Sequence, residues 1–243
     1  MKIKLHEHLD KKIWDKAGYL YPDVTNMLLS IAWAYIDYVR NEYDFPIKNS
    51  DIKDIIVFGS ITQLFYDKKS DIDMCIILNM ENIEKAFPNL DISKMLKLYY
   101  YDWAMVHICK IYGRKIDLNF QDYKTPVFEI RYRRGPNYSL IKQEWLFKPD
   151  IFSKQQIKQI EKDANQIYKQ IFNDYKKLKK NGFKLDEIQT FYSNLIASKR
   201  HSTETGQIMN PVYMAIRQFK HKGYIDKLRK IAVKKETDKF VLK

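Results

Sequence analysis

Cysteine is nearly absent from this chain. The 243 residues contain two, Cys75 and Cys109, both inside apolar runs, with no Cys-x-x-Cys pair and no Cys/His cluster. That excludes a disulfide framework and a zinc site of ordinary ligand spacing, and leaves two buried thiols in a reducing compartment. Glycine and proline are also scarce, seven of each, which excludes collagen-like and low-complexity chains. No apolar run approaches the ~20 residues that a membrane-spanning helix needs, and Met1-Lys2-Ile3-Lys4-Leu5-His6 lacks the continuous apolar stretch of a secretory signal. The expectation is a cytoplasmic protein with no membrane partner. The histidines are scattered. His107 falls in an apolar helical stretch and is expected in the core, while His6 and His8 are expected at a solvated terminus.

Hydrophobic residues make up 45% of the chain, enough for a real core in one large domain or two small ones. The net charge of +13 is unevenly placed. Residues 151–243 carry 21 Lys or Arg against 9 Asp or Glu, and residues 1–150 carry 22 against 21. The positive field therefore belongs to the C-terminal part. It supports two readings: a surface for a polyanion, or solvated lysine faces, since lysine dominates over arginine and no RGG or RNP-type pattern is present.

The pattern of elements predicts an α/β (α+β) chain, with a boundary near Lys148-Pro149-Asp150 separating domain 1–150 from a basic helical domain 151–243. A helix is expected over 22–41, capped by Asp23, with Val24, Met27, Leu28, Ile31, Ala32, Tyr35, Ile36 and Val39 at helical spacing. Strands are expected at Ile52–Phe58, at Asp71–Leu78 and at Arg114–Gln121. In the last, Ile116, Leu118 and Phe120 face one way and Lys115, Asp117 and Asn119 the other. Residues 91–112 read as one helical stretch with Met95, Leu98, Tyr99, Trp103, Val106 and Cys109 on one side. Val127–Arg133 and Tyr138–Ile141 read as a hairpin. Ser153 opens a helix to about Lys180 through a Ser-x-x-Gln box, with a seam of Ile157, Ile160, Ala164, Ile167, Phe172, Tyr175 and Leu178. Leu185–Lys199 and a helix begun by Asn210-Pro211 follow.

The chemistry-bearing stretch is Phe58-Gly59-Ser60 and, ten residues on, Ser70-Asp71-Ile72-Asp73. On a strand, residues i and i+2 share a face, so Asp71 and Asp73 offer two carboxylates side by side. Asp117 lies on the polar face of another strand, and if the two strands are neighbours three carboxylates converge. Such a set can hold Mg²⁺ or Mn²⁺ through carboxylate and phosphate oxygens and suits a two-metal phosphoryl transfer. Gly59 lets the backbone approach a phosphate closely, and Ser60 is expected to open a helix whose free N–H groups favour that phosphate. Each piece alone has an ordinary structural explanation; the combination of spacing and strand placement is what carries the signal.

This combination resembles the nucleotidyltransferase signature of the DNA polymerase β superfamily. The resemblance implies a nucleotidyltransferase fold, a short mixed sheet flanked by helices. It also implies that Asp71, Asp73 and Asp117 bind metal and act catalytically, and that Gly59 and Ser60 bind the nucleoside triphosphate. The local form, Gly-Ser followed by Ser-Asp-Ile-Asp, is most similar to non-canonical poly(A) and poly(U) polymerases. Gln63-Leu64 departs from the Arg-Gly of small antibiotic-modifying members. A wider layout of Trp14-Asp15, Tyr19, Pro22, Phe120-Gln121-Asp122, Tyr138-Ser139-Leu140, Trp145, Pro149 and Gly223-Tyr224-Ile225-Asp226 resembles nucleotidyltransferase-like proteins of tailed bacteriophages, which would put the protein in the host cytoplasm. The implied reaction transfers a nucleoside monophosphate from an NTP to an acceptor hydroxyl and releases pyrophosphate. Asp117 would act there as metal ligand and candidate base, and the basic C-terminal part suggests RNA, through its 3′ end, as acceptor. A protein or small-molecule acceptor, or an inactive nucleotide-binding module, are the alternatives. Arg131-Tyr132-Arg133-Arg134-Gly135, Lys199-Arg200-His201 and Lys220-His221-Lys222 are further candidate contacts to nucleic acid.

Overall fold

The computed structural model describes residues 3–68, 70–107, 109–125, 135–204 and 210–238. The chain divides into two compact units, His6–Asp150 and a second made of Met1–Leu5 with Ile151–Lys243. The opening residues thus fold with the C-terminal helices: the Ile3 amide donates to Asn165 Oδ1 at 2.8 Å and the Leu5 amide to Glu161 Oε1 at 2.7 Å. Among the described residues, no helix is long and apolar enough to cross a membrane.

The first unit is built on a six-stranded mixed sheet. Its strands are β1 (Ile52–Phe58), β2 (Ile72–Leu78), β3 (Lys110–Ile111), β4 (Arg114–Asp122), β5 (Asn137–Ser139) and β6 (Glu144–Phe147), in the order β3-β4-β2-β1-β5-β6. Only β2 and β4 run parallel; the other pairs are antiparallel. Helix α1 (Pro22–Tyr43) precedes β1, and helices α2 (Glu81–Ala86) and α3 (Ile92–Val106) lie between β2 and β3. Alternation decides which side chains meet them. Ile55 and Val57, Ile72, Met74 and Ile76, and Ile116, Leu118 and Phe120 join the main core with α1 and α3, while Ile56, Phe58, Cys75 and Ile77 form a small cluster on the opposite face.

Tyrosines lock α1 to α3. The Tyr35 hydroxyl donates to Leu96 O at 2.6 Å, and Tyr38 and Tyr43 both donate to Asp102 Oδ2, at 2.8 and 2.9 Å. Tyr35 also packs on Tyr100, Trp103 and Phe120. These contacts choose the buried face of α3, which is Ile92, Leu96, Tyr100 and Trp103. The expected face is met in part: Trp103 is buried and Met95 and Tyr99 pack against the core, but Leu98 and Val106 are exposed. Because α3 is apolar nearly all round, periodicity could not select a side.

Other expectations also needed correction. The helix expected over 91–112 stops at Val106, and a tight turn at Tyr112-Gly113, both at positive φ, returns the chain as the β3–β4 hairpin. His107 is exposed, not core; it caps α3 and stacks on Trp103 at 4.7 Å. Tyr21, not Asp23, is the N-cap of α1; Asp23 sits in its first turn, where its charge favours the dipole. β5 pairs with β1 and β6; Val127–Arg133, the hairpin partner expected for it, lies with Arg134 outside the described residues.

The second unit contains α4 (Lys154–Lys180), α5 (Leu185–Glu204), α6 (Pro211–His221) and α7 (Tyr224–Thr237). The Ser153 box is present in both directions, Gln156 N to Ser153 Oγ and Ser153 N to Gln156 Oε1. Ala164, Ile171, Tyr175 and Leu178 are the buried residues of α4, with Phe172 only half-buried. Asn210 caps α6 by accepting from the Val212 amide, with Pro211 in the first turn. Gly223, at φ 76°, breaks α6 from α7.

One buried ion pair ties the first unit together. Arg114, at the start of β4, is paired with Asp10, and both side chains are nearly fully buried. The same guanidinium donates to Asp67 O at 2.6 Å and Ser70 O at 2.8 Å. Removing one partner of a buried pair strands the other charge, so Arg114→Met is expected to destabilise this unit by about 3–5 kcal/mol. Urea unfolding followed by tryptophan fluorescence measures this. A loss under about 1 kcal/mol, the ordinary worth of an exposed pair, would show that Arg114 does not carry this role.

Candidate active site

The site grows out of one end of the sheet, on the face opposite α1 and α3. β2 and β4 pair in parallel with Asp73 opposite Asp117, then Cys75 opposite Asn119 and Ile77 opposite Gln121. Neighbouring strands lie about 4.8 Å apart. Asp73 and Asp117 therefore stand side by side on the same face. Both are half-buried, at the point where the polar end of that face gives way to the Ile56, Phe58, Cys75 and Ile77 cluster.

Asp71 is placed differently. The strand begins at Ile72, so Asp71 is the exposed residue just before it. Among the described residues, no three acidic, histidine or cysteine side chains stand close enough to form a complete metal cage. Two adjacent strand carboxylates with a third at the mouth fit Mg²⁺ or Mn²⁺ nonetheless, because Mg²⁺ is ordinarily held by one or two carboxylates together with substrate phosphates and water.

The Gly59-Ser60 turn lies against these carboxylates. Phe58 pairs with Asp73 across β1 and β2, so Gly59 follows directly. Gly59 has φ +82°, and a Cβ built on it would overlap the Asp73 carboxylate, lying 3.0 Å from its Cγ and 3.2 Å from its Cβ. Glycine is thus required twice here, for the left-handed backbone and for the room that Asp73 occupies. The expected helix after it is a single 3₁₀ turn, Gly59–Thr62, because Gln63 returns at once to extended backbone. Ser60 is buried within that turn.

Residues far away in sequence hold the turn and the loop after it. The Trp14 indole donates to Ile61 O at 2.9 Å and stacks on Trp145, whose own indole donates to Gly18 O at 2.7 Å. Thr62 Oγ1 lies 2.8 Å from both Gly59 O and Pro136 O. Further along, His6 stacks on Tyr66, its amide donates to Leu64 O, and Arg114 holds the carbonyls of Asp67 and Ser70. The approach to Asp71 is therefore fixed at both ends. His6, though exposed, is tied down by this contact rather than merely solvated.

Lys97 of α3 was not singled out in the sequence, yet its ammonium lies 2.6 Å from Asp117 Oδ1. It also donates to Leu118 O at 2.7 Å, while the Tyr100 hydroxyl donates to Ile116 O at 2.7 Å. β3 pairs with β4 at Lys115 and Arg114, and the Ile116 amide donates to Cys109 O at 3.2 Å. Beyond that point the side chains of α3 satisfy the outer carbonyls of β4, which also protects a bare edge. The available signal was a lone lysine within the apolar run Leu96-Lys97-Leu98-Tyr99-Tyr100.

In the second unit, the lysines closing α4 are not a clean basic patch. Lys177 pairs with Asp174 at 2.9 Å, Lys176 lies over the Phe172 ring, and a cavity beside them is lined by Asp174, Asp186 and Glu187.

A search of curated proteins finds no match to the chain. The sequence profile described as a nucleotidyltransferase domain matches residues 39–164, just over half of the chain, from within α1 through the whole sheet and into α4. Taken with the six-stranded mixed sheet and its Gly-Ser turn, that match shows that the chain belongs to the nucleotidyltransferase domain family of the DNA polymerase β superfamily.

Proposed function

We propose that the protein is a metal-dependent nucleotidyltransferase that moves a nucleoside monophosphate from an NTP to the 3′ hydroxyl of an RNA. The observation that carries this reading is the register of Asp73 against Asp117 on adjacent parallel strands, beside a glycine turn with no room for a side chain. Asp73 and Asp117 hold the cation, with Asp71 joining from the mouth, and the Gly59-Ser60 backbone carries the triphosphate. The bound Mg²⁺ or Mn²⁺ would lower the pKa of the attacking hydroxyl and offset charge on the departing pyrophosphate. The acceptor oxygen forms a bond to the α-phosphorus. The bond from that phosphorus to the oxygen bridging to the β-phosphate breaks, and pyrophosphate leaves with the electron pair. The hydroxyl proton passes to solvent or to Asp117, the carboxylate nearest the edge of the sheet.

The RNA acceptor rests on the charge of residues 151–243, on the local likeness of Gly59-Ser60 and Ser70–Asp73 to poly(A) and poly(U) polymerases, and on the half-buried, not enclosed, carboxylates, which suit a large acceptor. Lys177 is partly neutralised by Asp174 and Lys184 by Glu187, which weakens the part of that surface near the end of α4.

Three outcomes are expected. Asp73→Asn and Asp117→Asn each lower transfer at least 10³-fold, measured by pyrophosphate release and by labelling of an RNA pool with each α-labelled NTP. The stability of Asp73→Asn stays within about 0.5 kcal/mol of the parent or rises, since like charges directly opposite on a sheet repel, whereas Asp117→Asn also gives up the Lys97 ion pair and is expected to melt below the parent. Turnover near the parent level in either variant would remove the catalytic assignment. Gly59→Ala is expected to be the most damaging change in the turn. It combines a left-handed backbone costing about 1–2 kcal/mol with displacement of Asp73, so both the melting temperature and transfer should fall; a fully active, equally stable variant would contradict the close approach. RNA binding should weaken steeply with salt, with a log–log slope of about −0.7 per phosphate contacted on a single strand. Charge reversal at Lys176, Lys179 and Lys180 should flatten that slope. A flat response in filter binding of the parent protein would point to a protein or small-molecule acceptor.

A further inference from the structure

Asp73 and Asp117 present two like charges directly opposite each other on adjacent strands, an arrangement that is destabilising unless a cation offsets it. The protein supplies one. The Lys97 ammonium lies 2.6 Å from Asp117 Oδ1, in a site where Lys97 is 20% exposed and Asp117 42% exposed. Three further groups hold the ammonium there independently of Asp117. Leu118 O accepts from it at 2.7 Å, and the rings of Tyr100 and Tyr101 lie with their centroids 5.0 and 5.1 Å away. A lysine so tethered can give up Asp117 without losing its position.

We propose that Lys97 is an internal counter-ion that competes with the divalent cation for Asp117. It offsets one of the two charges of the carboxylate pair in the free protein and keeps the resting affinity for metal low, so that the ion enters together with the triphosphate. The inference rests on the metal-binding reading of Asp73 and Asp117. A unit charge and a divalent charge about 5 Å apart in a water-like medium repel by an amount worth about tenfold in binding, which is the size of effect to expect. Lys97 is in this sense a positioning residue: it touches Asp117 and sets the state in which that carboxylate meets the ion.

The test is Mn²⁺ titration of the full chain without nucleotide, following free Mn²⁺ by electron paramagnetic resonance. Lys97→Met and Lys97→Gln are expected to bind Mn²⁺ about tenfold more tightly than the parent, and Lys97→Arg to bind like the parent. Lys97→Gln retains a donor for Leu118 O and serves if the methionine variant folds poorly. In thermal unfolding, the metal-free neutral variants should melt below the parent, and saturating Mn²⁺ should raise their melting temperature by more than it raises the parent's. Adding Asp73→Asn to Lys97→Met should erase the gain in affinity, which places the ion between the strands. A purely structural lysine would lower the melting temperature without tightening Mn²⁺ binding, and equal or weaker affinity in the folded neutral variants would overturn the proposal while leaving the metal site standing. Absence of Mn²⁺ binding in the parent and every variant would overturn both this inference and the metal-dependent reading beneath it.

Discussion

The parallel pairing of β2 with β4 is the constraint on which the site depends. Because the side-chain period of a strand is two, a slip of one residue between these strands would send Asp117 into the core and bring Ile116 or Leu118 to the polar face. The register is held from the apolar side, where Ile72, Met74 and Ile76 and Ile116, Leu118 and Phe120 pack under α1 and α3. Burial of those residues fixes the placement of the carboxylates on the other side. The polar chemistry is thus set by hydrophobic packing that it never touches.

Around that register the protein surrounds its charges with fixed partners. Arg114 joins the start of β4 to the loop that leads into Asp71, and Lys97 joins α3 to the carboxylate end of the same strand. Trp14 and Thr62 hold the Gly59 turn by its carbonyls. Each of these contacts leaves the carboxylates half-exposed while restraining the backbone beneath them, a preorganised arrangement of the kind that phosphoryl transfer needs, since its catalysis is chiefly positioning and electrostatics. Elsewhere in the sheet, burial pushes the Asp54 carboxyl above its ordinary range, and the Ser139 hydroxyl and the Ile55 amide donate to it. That carboxylate belongs to the joint between β1 and β5 rather than to the site.

Much of the first unit was legible in the chain because its signals are local. The strand Ile52–Phe58 ends where a glycine must take a left-handed turn, the alternation of Arg114–Gln121 gave the correct face for Asp117, and the Ser153 box and the Asn210-Pro211 start are caps written within four residues. The motif Gly59-Ser60 with Asp71 and Asp73 was visible for the same reason. What failed were choices made by distant partners. The buried face of α3 was set by Tyr35, and the Gly59 turn is held by Trp14 and by the Pro136 carbonyl rather than continued as a helix.

By itself, then, the sequence determined the family signature, the strands carrying Asp73 and Asp117, the glycine that must lie beside them and the concentration of positive charge in residues 151–243. Tertiary structure decided that Asp73 and Asp117 are neighbours while Asp71 stands at the mouth, that Lys97 pairs with Asp117, and that Arg114 holds the loop before Asp71. The physical reason is the range of the forces involved. Periodicity and capping act over a few residues and leave their mark in the chain, whereas strand order, register and ion pairing join residues tens of positions apart and exist only once the core has closed.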